Sequence, residues 1–143
     1  MRRRTFLKSA AGLASVSIVP RHVLGGEGQA APSDRLAIAS IGVGGQGGGL
    51  LNDPAISGQS IVALCDADAK RCAQVARKFP GAELFQDYRR LFEKRKDLDA
   101  VVIATPDHMH AVITAMALRA GKHVYVEKPM AHSIEECRVV TAL

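Results

Sequence analysis

The stretch IGVGGQGGG, Ile41 to Gly49, holds six glycines in nine residues. Such density suits two unlike structures. One is a loose linker; the other is a tight turn that brings backbone against a phosphate, and both exploit glycine's access to positive φ. The flanking sequence separates them. LAIASIGV (Leu36–Val43) is a continuous apolar run of strand length, and a second run, SIVALCD (Ser60–Asp66), ends in an acid. Gly42, Gly44 and Gly47 then spell G-x-G-x-x-G between a strand and a predicted helix, the arrangement of a dinucleotide-binding turn. Gly42 permits the turn, Gly44 lets backbone approach a pyrophosphate, and Gly47 lets the helix pack on the strand. With Gly45 and Gln46 between them they form a cofactor-binding set, and the helix N-terminus that follows faces the phosphates.

Asp66 stands 24 positions after Gly42, near the interval of about 20 residues that separates this turn from a ribose-binding carboxylate. A carboxylate there accepts hydrogen bonds from ribose hydroxyls and repels a 2′-phosphate, which favours NAD over NADP. Ala67 and Asp68 follow it rather than an arginine. Arg71 is the nearest arginine and keeps NADP open as the second choice.

Further along, three more apolar runs occur: AELF (Ala82–Phe85), AVVIAT (Ala100–Thr105) and HVYVE (His123–Glu127). Runs without polar alternation suit strands buried on both faces of a parallel sheet. Helical segments lie between them. Asp68 is placed to cap one that stops at Phe79-Pro80-Gly81, and Asp87 to cap another with Leu91 and Phe92 inward. A third follows Pro106-Asp107, with Val112, Ala115, Met116 and Leu118 as its apolar side. Ser133 and Glu136 form a capping box that opens the last. The alternation predicts an α/β domain with a doubly wound parallel sheet of about five strands, in the order 3-2-1-4-5.

Composition removes other classes. The 143 residues are 48% hydrophobic with 4% aromatics and no tryptophan, which supports a core and argues against a base-stacking surface. The net charge of +5 belongs mostly to the first thirty residues; the rest carries 14 basic and 13 acidic residues, so no nucleic-acid partner is expected. Cys65, Cys72 and Cys137 form no CxxC pair, and neither a disulfide framework nor a metal site is expected.

The opening MRRRTFLKSAAGLASVSIVP joins a basic cluster to a short apolar stretch, Phe6–Val19. That stretch is too short for a stable membrane span, which needs about 20 residues. It fits a signal peptide, and Arg3-Arg4-Thr5-Phe6-Leu7-Lys8 resembles the twin-arginine export signal. Residues 1–30 are thus read as that signal and 31–34 as a linker. The dinucleotide-binding domain is 35–143, the export machinery is a partner and the periplasm the destination. The competing reading is an amphipathic N-terminal helix.

Two later motifs, ATPDHMH (Ala104–His110) and EKPMAHS (Glu127–Ser133), follow the fourth and fifth runs. In a doubly wound sheet both fall on the ligand-binding edge. Glu127 and Lys128 place an acid and a base there, and a lysine can orient a substrate hydroxyl or exchange its proton. Together with IGVGGQG, VALCDAD and AGKHVYVEKPMA, these segments resemble the glucose–fructose oxidoreductase / inositol dehydrogenase / MocA family over residues 35–143. The resemblance implies NAD(P)-dependent hydride transfer on sugars or polyols, with Lys128 catalytic and Glu127 near the nicotinamide ribose. It places Thr105, Pro106 and His110 in the loop lining the cofactor. Asp107 stands where the family usually has Asn. His108, His123 and His132 read as structural or loop histidines. The family also carries a second α/β domain with the substrate pocket and oligomer contacts, for which 143 residues leave no room; the chain reads as a cofactor domain or truncated product, oligomeric only if that domain exists. Two other readings stay open: an NAD-dependent glycosidase of the same family, and a non-catalytic nucleotide-binding remnant.

Overall fold

Ile38 and Val43 belong to one buried cluster and Ala39 and Ile41 to another, so the first apolar run feeds both faces of a sheet. In the computed structural model, which describes residues 31–143, that run contains strand β1 (Ala37–Ile41). The chain divides after Asp34, and Arg35–Leu143 form one compact unit. The proposed export signal lies outside the described residues.

The other strands are β2 (Ser60–Cys65), β3 (Glu83–Phe85), β4 (Ala100–Ile103) and β5 (His123–Val126). They make a five-stranded sheet in the order β3-β2-β1-β4-β5, every pair parallel. The reversal of order at β1 sets a crevice at the carboxyl ends of β1 and β4, where a doubly wound sheet binds ligands.

Helices α1 (Gln46–Leu50), α2 (Pro54–Ser57), α3 (Ala69–Ala76), α4 (Tyr88–Lys94), α5 (His110–Arg119) and α6 (Ile134–Thr141) connect them. Leu91 and Phe92 of α4 and Ile113 and Ala117 of α5 pack on one side with Val101 and Ile103. Leu51 and Cys72 pack on the other with Leu64 and Val102. Leu51, Leu64, Leu91, Ile103 and Ile113 are wholly buried, each stabilising the fold by on the order of 2 kcal/mol.

Three expectations need correction. The helix after the glycine turn is broken: α1 has five residues, and α2 restarts at Pro54 with Asp53 accepting from Ala55 N at 2.8 Å. Gly48 and Gly49 weaken α1, and Pro54 suits a first helical position. In α5, Val112 is 46% exposed, while His110, Ala111, Ile113, Thr114, Ala115 and Ala117 are buried. Apolar and small residues surround that helix, so its pattern alone did not select the inward face. Finally, β5 lies at the edge that the expected order gives it, but it is not buried on both faces: His123 and Tyr125 are exposed and only Val124 and Val126 pack on the core.

Helix caps agree with the sequence. Asp68 Oδ1 accepts from Lys70 N and Arg71 N, and Asp87 Oδ1 from Arg89 N. Ser133 Oγ accepts from Glu136 N while Glu136 Oε2 accepts from Ser133 N, completing the capping box. Among the described residues, no helix is long and apolar enough to cross a membrane.

Candidate functional site

The glycine turn leaves β1 through Gly42, whose φ of 81° only glycine adopts readily. A Cβ there would lie 2.6 Å from Ala104 O, so the turn also packs directly on the backbone after β4. A Cβ on Gly47 would lie 1.8 Å from Gly42 O: the first turn of α1 sits on the strand end at a distance no side chain allows. The cap of α1 is Gly45, with no side-chain hydrogen bond to the helix. At Gly44 a Cβ would meet the flexible side chain of Arg71, 2.4 Å from its Cδ. Arg71 therefore lies across the cradle that Gly44 leaves open.

Asp66 is buried at the end of β2. Its Oδ2 accepts from Val43 N at 3.0 Å and its Oδ1 from Asp68 N at 2.9 Å. The carboxylate thus ties the glycine turn to the loop after β2. Each oxygen keeps a further lone pair, which a ribose hydroxyl can use.

Two pockets lie along this edge. The larger, about 530 Å³, extends from Gly42 and Gly44 past Asp66 to Gln86, Tyr88 and Arg89. The smaller, about 330 Å³, is lined by Gln46, Asp107, His110, Glu127 and Lys128. Ala104 and Thr105 line both. Thr105 Oγ1 is buried and has no hydrogen-bond partner among the described residues. Pro106 borders the larger pocket and caps the 3-10 turn Asp107–Met109. The edge therefore carries a glycine cradle, a buried carboxylate, an orphaned hydroxyl, and Glu127 and Lys128, in two adjacent pockets that share Ala104 and Thr105, and this donor set fits an extended dinucleotide.

The histidines differ. His108 and His132 are exposed, as is His123 at the far end of β5. His110 is 2% exposed, and its ring nitrogens face Thr105 O at 2.7 Å and Pro129 O at 2.6 Å. Cys65 borders the larger pocket, but burial pushes its thiol up to about 12, with Cys72, Asp66 and Asp87 adding to the effect. Burial also raises Cys72. Neither is a ready nucleophile at neutral pH.

Residues 36–143 match GFO_IDH_MocA, the oxidoreductase family with an NAD-binding Rossmann fold. The chain belongs to this family. It is 37% identical over 110 residues to inositol 2-dehydrogenase of Rubrobacter xylanophilus, covering 76% of this chain and 31% of that protein. Identity is also 37%, over 117 residues, to a glycosyl hydrolase family 109 protein of Solibacter usitatus, covering 74% and 27%. The crystal structure of myo-inositol 2-dehydrogenase from Lactobacillus plantarum superposes with a TM-score of 0.66 at 27% identity, over 76% of this chain and 32% of that one. The chain spans about a quarter to a third of the length of these relatives. What it shares with the GFO_IDH_MocA oxidoreductases is the NAD-binding domain.

Gln86, Tyr88 and Arg89 escaped the sequence reading, as did the position of Arg71 over Gly44. The signal was available for the first three: they follow β3, whose carboxyl end lies beside that of β2. Tyr88 also carries Arg89 over its ring, 4.7 Å from the centroid.

Proposed function

We propose that the chain is the cofactor domain of an exported, NAD-dependent oxidoreductase acting on the hydroxyl of a sugar or polyol. The observation that carries this reading is the pair of adjacent pockets on one sheet edge, Asp66 lining one and Glu127 and Lys128 the other, with Ala104 and Thr105 lining both. Gly42, Gly44, Gly45 and Gly47 would hold the pyrophosphate, Asp66 the adenosine ribose, and Gln46, Thr105 and Glu127 the nicotinamide end. When bound, NAD supplies the acceptor or donor of the hydride. Oxidation of a secondary hydroxyl removes a hydride from carbon and a proton from oxygen, leaving a carbonyl. The exposed Lys128 is placed to orient that hydroxyl and relay its proton. The inositol dehydrogenase relatives support the substrate class.

A second reading has its own support, the glycosyl hydrolase family 109 relative. NADH absorbance during turnover separates the two, because a glycosidase that re-reduces its intermediate accumulates no NADH. The primary test is calorimetric titration of the full chain with NAD and with NADP. Binding of NAD in preference to NADP is the expected result; no binding of either would sink the reading. In the native gene product, Lys128→Met is expected to keep NAD affinity within about twofold and lower turnover about 10²- to 10⁴-fold. Export rests on the leader sequence, and its test is fractionation. Replacing Arg3 and Arg4 by lysine should retain the protein in the cytoplasm.

A further inference from the structure

We propose that His110 positions Lys128 by holding two loops of the site together as a doubly protonated ring. This rests on the cofactor reading above, which supplies the function that the positioning serves. His110 opens α5, and its imidazole is enclosed between the loop after β4 and the loop after β5. Nε2 lies 2.7 Å from the Thr105 carbonyl and Nδ1 lies 2.6 Å from the Pro129 carbonyl. Carbonyl oxygens only accept. A neutral imidazole has one N–H and one lone pair, so in this enclosure it would set the lone pair against one of the two oxygens. The ring that carries both protons donates to both.

The two carbonyls belong to functional loops. Thr105 lines both pockets of the crevice, and Pro129 follows Lys128 directly. The ring therefore fixes the separation between the cofactor-lining loop and the lysine. The charged groups sharing its pocket are Asp107 and Glu127, which favour a cation, and Lys128, which opposes it, as does the N-terminal end of α5 itself. Strand β4 contributes no ionisable side chain. From β5 the ionisable side chains are His123 and Tyr125, both exposed. On α6, Glu136 is turned to the N–H groups of His132 and Ser133, Glu135 and Arg138 are exposed, and the Cys137 thiol is half-buried.

Removal of one proton leaves one of the two carbonyls without its donor and frees one loop. Affinity at the lysine end thus falls once the second proton leaves the His110 ring. The test uses the full chain with ¹⁵N-labelled histidine. Long-range ¹⁵N–¹H correlation spectra report the protons on each ring nitrogen, and NADH fluorescence titrations give Kd over the same pH series. Both nitrogens of His110 should be protonated wherever NADH binds tightly, and Kd should rise about tenfold as the second proton leaves, a change of about 1.4 kcal/mol. His110→Gln, whose amide donors do not titrate, should flatten that dependence, whereas His123→Gln should preserve it.

A single neutral tautomer at the pH of tightest binding would overturn the proposal. So would a pH dependence that survives in His110→Gln. If that variant does not fold, the spectrum of the unaltered protein still decides the protonation. Failure to bind NADH at any pH would instead count against the cofactor reading, and the ring spectrum would stand as a separate result.

Discussion

Gly44 and Gly47 face different obstacles, and substitution separates their roles. A Cβ on Gly47 overlaps the Gly42 carbonyl, which is fixed backbone, so Gly47→Ala should destabilise the fold by about 3 kcal/mol in urea titrations. At Gly44 the obstacle is the Arg71 side chain, more than half of which is solvent-exposed and which can move aside. Gly44→Ala should leave stability within about 0.5 kcal/mol and still weaken NAD binding about tenfold or more, by filling the cradle. A loss of binding at Gly44 no larger than at an exposed loop glycine such as Gly81 would remove the pyrophosphate from that position. Asp66 has two duties, a structural tie and a proposed ribose contact. Asp66→Ala orphans the N–H groups of Val43 and Asp68, at a cost of about 2 kcal/mol. It should also narrow the preference for NAD over NADP. An unchanged preference would leave only the structural duty.

At the scale of elements, the caps and the edge strand carry the argument. The Ser133–Glu136 box fixes where α6 begins, directly after the loop that bears Lys128. Ser133→Ala should cost about 1 kcal/mol, and the melting temperature measures it. NAD affinity should be nearly unchanged, because the cap does not touch the crevice. Helix α1 shows the reverse economy: it is short because Gly47 must be small for packing and Gly48 and Gly49 add flexibility. Its hold on the strand comes from backbone contact rather than from helical propensity.

For the whole molecule, charge is balanced across the described domain, and the pair of half-buried Arg95 with exposed Asp97 sets an acid-side dependence. Hydrogen bonds from Arg95 Nε and Nη2, at 2.8 and 2.7 Å, hold the Asp97 carboxyl at about 2. Arg95 also donates to Val62 O at 2.7 Å, which joins this pair to β2. Because the folded-state value is depressed, the unfolded chain takes up the proton first. The contribution is complete above about pH 4 and is lost as the pH falls toward about 2. Asp97 is 61% exposed, so solvent screening keeps that contribution small. Urea midpoints between pH 5 and pH 2 should fall less steeply in Asp97→Asn than in the unaltered protein. Equal slopes would show that other carboxylates govern the acid limb.

The architecture was legible because it rests on local regularities. Five apolar runs, four capping residues and one glycine turn determine strand, helix and crossover, and the handedness and crowding of parallel crossovers leave few ways to arrange them. The strand order and the edge carrying Gly42, Asp66, Thr105 and Lys128 follow from those features. What the tertiary structure decided depends on contacts between segments distant in sequence. Arg71 reaches Gly44 only because α3 packs beside the turn. Tyr88 and Arg89 join the crevice only because β3 lies next to β2. Val112 faces outward because the core cluster on the sheet, not the helix's own nearly uniform apolar surface, takes up Ile113 and Ala117. His110 was visible as a motif residue, but its burial between the Thr105 and Pro129 carbonyls was not, since that geometry exists only when β4 and β5 stand side by side.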